Sequence, residues 1–162
     1  MSKIRALALV LAIIIAPGAP EGPAFAQERE AKGDLVVIVN IANPVNQLSA
    51  GELEKMFLGK RGFWEWGKPI KTIDLIEENV HEDKSARAIF SAGYLGKSLP
   101  SLKSYWIRAI FSGRGQPPLV FGKGGDVVRY ISENVGAIGY IRKKDFVQEK
   151  VKRIEVITEL SP

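Results

Sequence analysis

The chain has 162 residues, of which 46% are hydrophobic and 25% charged, and its formal net charge at neutral pH is +5. This balance is that of a globular domain, and it excludes intrinsic disorder and a collagen-like repeat. Because the chain contains no cysteine, a disulfide scaffold and a cysteine nucleophile are excluded as well.

The first 26 residues have the pattern of a secretory signal peptide. Lys3 and Arg5 give a basic start, residues 6–16 are apolar without interruption, and residues 24–26 offer an A-x-A cleavage site. A membrane anchor is the alternative, but the apolar run falls short of the ~20 residues that cross a bilayer as a helix. We therefore expect cleavage after Ala26, a periplasmic or secreted protein, and no stable membrane span afterwards.

The remaining chain is mildly basic, because cleavage removes only two cations and one acid from a chain with a net charge of +5. Its cations are scattered among acids and do not form the stripe of Lys and Arg that nucleic acid requires, so we expect no nucleic-acid partner. A small anion is compatible with the surplus of positive charge. We expect a flexible N-terminal segment at 27–34 and one domain at 35–160.

Apolar periodicity and turn residues predict strands that alternate with helices. In chain order these are a strand at 35–39, a helix from 49 to 59, a strand at 69–76, a helix at 83–94, a helix from 98 to 113, a short strand at 119–121, a helix at 126–134, and strands at 137–141 and 151–157. The first strand is apolar throughout, which is typical of a parallel sheet covered on both faces. Ser49 and Glu52 are spaced as a capping box, and Asp126 is the expected cap of the last helix. The order predicts a single three-layer α/β domain.

Four segments, taken in order, resemble one family. They are VIVN, NPV and LS within 37–49, MFLGKR and WGKPI within 56–70, YW and FSGRGQPP within 105–118, and VGAIGYI at 135–141. Together they are similar to the phosphate ABC transporter substrate-binding proteins, and especially to a short, single-domain branch of these periplasmic binding proteins. The resemblance implies one lobe of a type II periplasmic binding protein-like fold, with a mixed, mostly parallel sheet and helices on both faces. It also implies a role in solute transport.

Ligands of open α/β sheets bind outside the carboxyl ends of the strands, so we expect a polar site at that edge. Ser85 belongs to it by resemblance, because residues 84–86 stand where the family has a phosphate-binding Ser-Gly-Thr. Glycines let the backbone approach a ligand, and cations attract an oxyanion. The predicted ligand-binding residues are Asn40, Asn43, Ser85, Arg87, Arg114, Lys123, Gly124 and Gly125.

Each of these residues also has a purely structural interpretation. Residues 122–125 are typical of a flexible loop before a helix, and Arg114 is equally typical of a solvated loop. The asparagines are ordinary loop residues. Arg87 lies four residues after Asp83, and an ion pair within the helix is its favoured role.

The sequence favours binding over catalysis. The chain has a single histidine, His81, and no cysteine, so we expect no enzymatic activity, no metal site and no cofactor. We expect a periplasmic solute-binding-like protein that holds a small oxyanion, with phosphate among the candidates, in an open lobe or in the cleft of a homodimer. The alternative is an adaptor that has lost its ligand site and presents Phe63, Trp64 and residues 60–61 to an envelope protein. In that interpretation Trp64 is exposed, and Trp66 belongs to the core.

Overall fold

The computed structural model describes residues 33–157. The predicted signal peptide, most of the predicted segment at 27–34 and residues 158–160 of the predicted domain lie outside the described residues. The strands are β1 (Leu35–Asn40), β2 (Gln47–Ser49), β3 (Lys71–Leu75), β4 (Leu119–Phe121), β5 (Ala137–Arg142), β6 (Val151–Arg153) and β7 (Glu155–Ile157). The α-helices are α1 (Ala50–Phe57), α2 (Ala86–Leu95), α3 (Leu99–Phe111) and α4 (Gly124–Glu133), with short 3-10 helices at Glu82–Lys84 and Lys143–Asp145.

The main sheet has five strands in the order β4-β3-β5-β1-β6. β3 pairs in parallel with β4 and β5, whereas β1 pairs antiparallel with both β5 and β6. Four strands therefore run in one direction, and the predicted mixed, mostly parallel sheet is confirmed. β1 is buried along its whole length, as its apolar run predicts, but it is the antiparallel strand of the sheet. An apolar run indicates that both faces of a strand are buried, and it does not indicate the direction of the strand.

Helices cover both faces of this sheet, as the predicted three-layer domain requires. On one face, a Cβ built at Gly139 would lie 3.0 Å from Ile131 of α4, which shows how closely that helix packs on β5. On the other face, Tyr140 stacks on Phe90 of α2 with ring centroids 3.9 Å apart, and Phe57 of α1 packs beside them. Successive residues of β5 thus serve opposite layers of the core.

The predicted strand at 151–157 is in fact two short strands in different sheets. β6 closes the main sheet, whereas β7 pairs in parallel with β2. Ile154 lies between them with 2% of its surface exposed, and its N–H donates to the carbonyl of Val37.

The starts of α1 and α3 lie where the sequence predicts them, whereas α2 begins at Ala86, three residues after its predicted start, and α4 also differs. Ser49 and Glu52 form the predicted capping box at α1. Lys123, however, is the N-cap of α4, and Asp126 is the third residue inside the helix, so the predicted cap at Asp126 is wrong. The two glycines after Lys123 are helical instead of loop residues. Among the described residues, no helix has the length and apolar character needed to span a membrane.

The prediction that Trp64 is exposed is wrong, whereas Trp66 packs against the core as predicted. Trp64 is buried, with 2% of its surface exposed, and its indole N–H donates to the carbonyl of Gly136 at 3.0 Å. Trp66 is only half-buried, and the two rings stack at 6.3 Å on the same side of the chain. Gly67 has a φ of 86°, and the backbone N–H of Trp64 donates a hydrogen bond to the carbonyl of Lys68. The segment is therefore a tight turn and not an extended chain, in which alternate side chains point to opposite sides.

Candidate functional site

The predicted ligand-binding residues lie at two opposite edges of the main sheet. Those near the carboxyl ends of the parallel strands are Ser85, Arg87, Lys123, Gly124 and Gly125, and those near the amino ends are Asn40, Asn43 and Arg114. The asparagines follow β1, which runs against its neighbours, and Arg114 precedes β4 instead of following it. The expected single rim therefore does not bring all eight residues together.

Asn40 and Asn43 are buried and fully engaged with the backbone. The Asn40 amide donates to the carbonyls of Ile131 and Ser132 at 2.9 and 2.8 Å, and the Asn43 amide donates to that of Val135 at 3.2 Å. The side-chain oxygen of each asparagine accepts from the N–H two residues later. These contacts hold the C-terminal end of α4 against β1, because they satisfy carbonyls that the helix leaves free.

At the other edge, Ser85 caps α2. Its hydroxyl accepts from the N–H of Ala88 at 3.1 Å and donates to the carbonyl of Glu82 at 2.7 Å. The side chain that lies at the first amide of α2 is Glu77, which accepts from the Ala86 N–H at 2.7 Å. The sequence analysis does not identify this contact, because Glu77 lies nine positions before the amide that it accepts from.

Arg142, at the end of β5, clamps the same carboxylate. Its Nε and one terminal nitrogen donate to the two oxygens of Glu77, each at 3.0 Å, and it also pairs with Asp34 at 2.8 Å. Partial burial by itself raises the pKa of Glu77, but the hydrogen bonds from Arg142 and Ala86 outweigh it and leave the pKa below its ordinary value. The hydrogen bond to Glu77 in turn raises the pKa of Arg142.

The start of α4 also faces a carboxylate from this chain. Gly124 is buried against Asp145, so closely that a Cβ at this position would collide with the carboxyl group. Gly125 has open space around it, and Lys123 is exposed and makes no capping contact with its side chain. The glycine at 124 is thus explained by a close approach of Asp145.

Arg87 belongs to a buried network below α2. Its Nε lies 2.9 Å from Asp74, although the N–H does not point along a hydrogen bond, so the contact is an ion pair. The favoured pairing with Asp83 is wrong, because the buried carboxylate of β3 lies closer. Asp74 also accepts a short hydrogen bond from the hydroxyl of Tyr140.

Asp74 and Tyr140 are nearly closed to solvent, whereas the Arg87 side chain is 31% exposed. The space beside this network, lined by aromatic side chains including Phe57 and Trp106, measures about 10 Å³, which is no more than one water requires. Burial raises the pKa of Asp74, and Tyr140 and Arg87 reduce that rise. Burial and the Asp74 carboxylate raise the pKa of Tyr140 well above its ordinary value. A solute therefore has no room beside Asp74 and Tyr140.

Arg114 lies in a cleft of about 520 Å³ between the end of α1 and the end of α3. Its lining has three cations and no acid: Leu58, Gly59, Lys60, Tyr105, Arg108, Ala109 and Arg114. The Tyr105 hydroxyl donates to the carbonyl of Leu58 at 2.6 Å and joins the two walls. We call this the basic cleft. Sequence reasoning identified Arg114 but missed Lys60 and Arg108 as its neighbours, because they come from separate elements.

The cations of the basic cleft are only weakly neutralised. Lys60 contacts the exposed Glu54 at 3.4 Å, and Arg114 donates to the hydroxyl of Ser112 at 2.9 Å. Within residues 33–157, Arg108 and Arg114 form no ion pair. Positive charge is therefore available to a ligand in this cleft.

A second hollow of similar size has the opposite charge. It measures about 490 Å³ and lies between the turn before α2 and the start of α3, where Glu82 and Asp83 face it together with His81. Acidic side chains repel an oxyanion. Of these two hollows, the basic cleft is the one suited to an anion.

The described fold is similar to solved phosphate receptors. An ABC-type phosphate transport receptor from Vibrio cholerae matches 76% of this chain with 46% of its own, at 21% identity and a TM-score of 0.55. A proposed phosphate ABC transporter substrate-binding protein with bound phosphate, from Clostridium perfringens, matches 76% of this chain with 44% of its own, at 22% identity and a TM-score of 0.54. A possible phosphate binding protein from Planctomyces limnophilus matches 88% of this chain with 51% of its own, at 18% identity and a TM-score of 0.58.

These likenesses confirm the predicted fold. The chain spans about half the length of the structures that it matches. No protein-family model matches the sequence. No curated protein matches it either.

Proposed function

We propose that this chain, whose fold is similar to about half of the solved phosphate receptors, is a solute-binding-like protein that holds a small oxyanion without catalysis. The observation that carries the proposal is the basic cleft, where Lys60, Arg108 and Arg114 line one cavity without an acid. Phosphate is the first candidate ligand, because structures of similar fold are described as phosphate receptors. The signal-like pattern of residues 1–26 predicts cleavage after Ala26, so we expect this activity in the periplasm or outside the cell.

The cleft has the chemistry that a tetrahedral oxyanion requires. A guanidinium grips two oxygens with parallel hydrogen bonds, whereas the Lys60 ammonium acts as a point charge. The cavity of about 520 Å³ falls within the size range of small-ligand sites. The cleft is open to solvent and salt screens exposed charges, so we expect modest affinity that weakens with ionic strength.

Isothermal titration calorimetry of the purified protein with phosphate and sulfate at low salt tests the proposal. We expect saturable binding that Arg114→Ala weakens roughly 10-fold to 100-fold, the equivalent of one charge-assisted contact. Arg129→Ala is the matched control, because Arg129 is an exposed arginine on α4 that pairs with Asp126. Absence of heat at millimolar anion, or equal affinity in the two variants, contradicts the proposal.

An adaptor is the second candidate, and exposed apolar side chains favour it. Phe111 and Ile110 at the end of α3 are 89% and 53% exposed, and edge strand β4 exposes Leu119 and Val120. The surface first expected for this role loses Trp64, which is buried, and keeps Phe63 and the exposed Lys60. Stoichiometric co-purification of an envelope protein supports the adaptor, and sedimentation tests the homodimer. Loss of either complex in Phe111→Ser identifies the surface.

A further inference from the structure

We propose that Glu77 is an internal ligand, which fills an oxyanion position at the start of α2 with a carboxylate from this chain. Arg142 and the first amide of α2 form this position, and the chemistry of these donors fits a small carboxylate or a phosphate-like anion. In the native protein it is closed to solutes. This inference goes beyond the basic cleft, which lies at the opposite edge of the sheet.

The geometry around Glu77 is that of a bound anion. Both of its oxygens accept from the Arg142 guanidinium at 3.0 Å, and one of them also accepts from the Ala86 N–H at 2.7 Å. A bidentate guanidinium and a helix N-terminal amide are two independent donors that recognise oxyanions in general. The Glu77 and Arg142 side chains are only 16% and 13% exposed, so the pair is largely removed from water.

The donors are held in place by contacts that do not depend on Glu77. Arg142 also donates to the carbonyl of Lys84 at 2.6 Å and to Asp34 at 2.8 Å. The α2 start is fixed separately by the Ser85 cap. Removal of the Glu77 side chain therefore leaves a preformed cationic hollow, which a free anion of similar size is expected to enter.

Anion rescue of Glu77→Ala tests this inference. We expect the variant to unfold at a lower temperature than the native protein and to regain stability saturably with acetate or inorganic phosphate. At an anion concentration about 100-fold above the dissociation constant, the midpoint should rise by roughly 11 °C. Glu78→Ala is the matched control, because Glu78 is the adjacent, exposed glutamate. Chloride at equal ionic strength corrects for general salt effects.

The outcomes separate this inference from the proposed function. Rescue confined to Glu77→Ala, and retained when Arg114→Ala is added, supports an internal ligand whatever the basic cleft binds. If the variant folds only when acetate or phosphate is present, that result supports it too. Equal stabilisation of the native protein, Glu78→Ala and Glu77→Ala overturns it, as does a variant that neither anion stabilises. Glu77→Gln, which keeps the side-chain volume, should show weaker rescue, and rescue equal to that of Glu77→Ala contradicts a filled position.

Discussion

Replacement of Tyr140 by phenylalanine removes one hydroxyl from the buried network and leaves the aromatic packing in place. Phenylalanine keeps the ring that stacks on Phe90 at 3.9 Å. The lost group is the hydroxyl that donates to Asp74, a side chain with 8% exposure that pairs with Arg87 at 2.9 Å. The substitution therefore tests whether this hydrogen bond stabilises the buried carboxylate.

The expected loss in unfolding free energy is about 1.5–3 kcal/mol, which is typical of a hydrogen bond to a charged group. The low exposure of Asp74 means that water does not replace the missing donor. For a domain of this size the loss corresponds to a fall of roughly 6–12 °C in the thermal midpoint.

The loss should depend on pH with a definite sign. Burial already raises the pKa of Asp74 in the native fold, and without the Tyr140 hydroxyl that pKa rises further. The hydroxyl stabilises the ionised carboxylate, so the stability difference is largest at high pH. It shrinks as pH falls through the folded-state pKa values, both of which lie above the ordinary aspartate value of about 3.9.

Urea unfolding of both proteins between pH 4 and pH 8, followed by circular dichroism, measures this difference directly. Subtraction of the two curves removes the titrations that the proteins share. We expect the native protein to have the higher free energy of unfolding, and its advantage over Tyr140→Phe to grow with pH. No loss of stability, or a loss that is constant over this range, refutes the role assigned to the Tyr140 hydroxyl.

Two further substitutions test the packing of the sheet and the start of α1. Gly139→Ala places a Cβ 3.0 Å from Ile73 and Ile131, so overpacking should destabilise the protein by about 1–3 kcal/mol. Gly51→Ala is the control and should not destabilise the protein, because a Cβ at this position of α1 has no atom within 4 Å. If thermal denaturation shows equal effects, the assigned layer packing is wrong. Ser49→Ala removes the capping hydroxyl, which should cost about 1 kcal/mol in urea unfolding. An unchanged midpoint would contradict that capping role.

The sequence predicts the elements because their signals are local. The apolar run of β1, the capping box of α1 and the Ser98 cap of α3 each lie within a few residues. The direction of β1 is not local, since its partners in β5 and β6 come about 100 residues later. That one reversed strand places Asn40 at the edge opposite Ser85, which divides the predicted site.

The contacts of the candidate sites are long-range as well. Glu77 meets Arg142 across 65 positions, and Tyr140 meets Asp74 across 66. A run of acids in the sequence is typical of a solvated surface, and only the fold shows that Glu77 leaves this surface to bind the start of α2. The sequence identifies Arg114 because a loop arginine is a candidate for any anion, whereas Arg108 has the pattern of an ordinary helix residue.

The most direct test of oxyanion binding is to map the backbone amide signals of the native protein by NMR during a phosphate titration. We expect saturable shifts at the basic cleft, around Lys60 and Arg114, and none at Ala86, whose N–H already donates to Glu77. Shifts confined to Ala86 and the start of α4 would contradict both assignments. No shifts at all would exclude phosphate as the ligand.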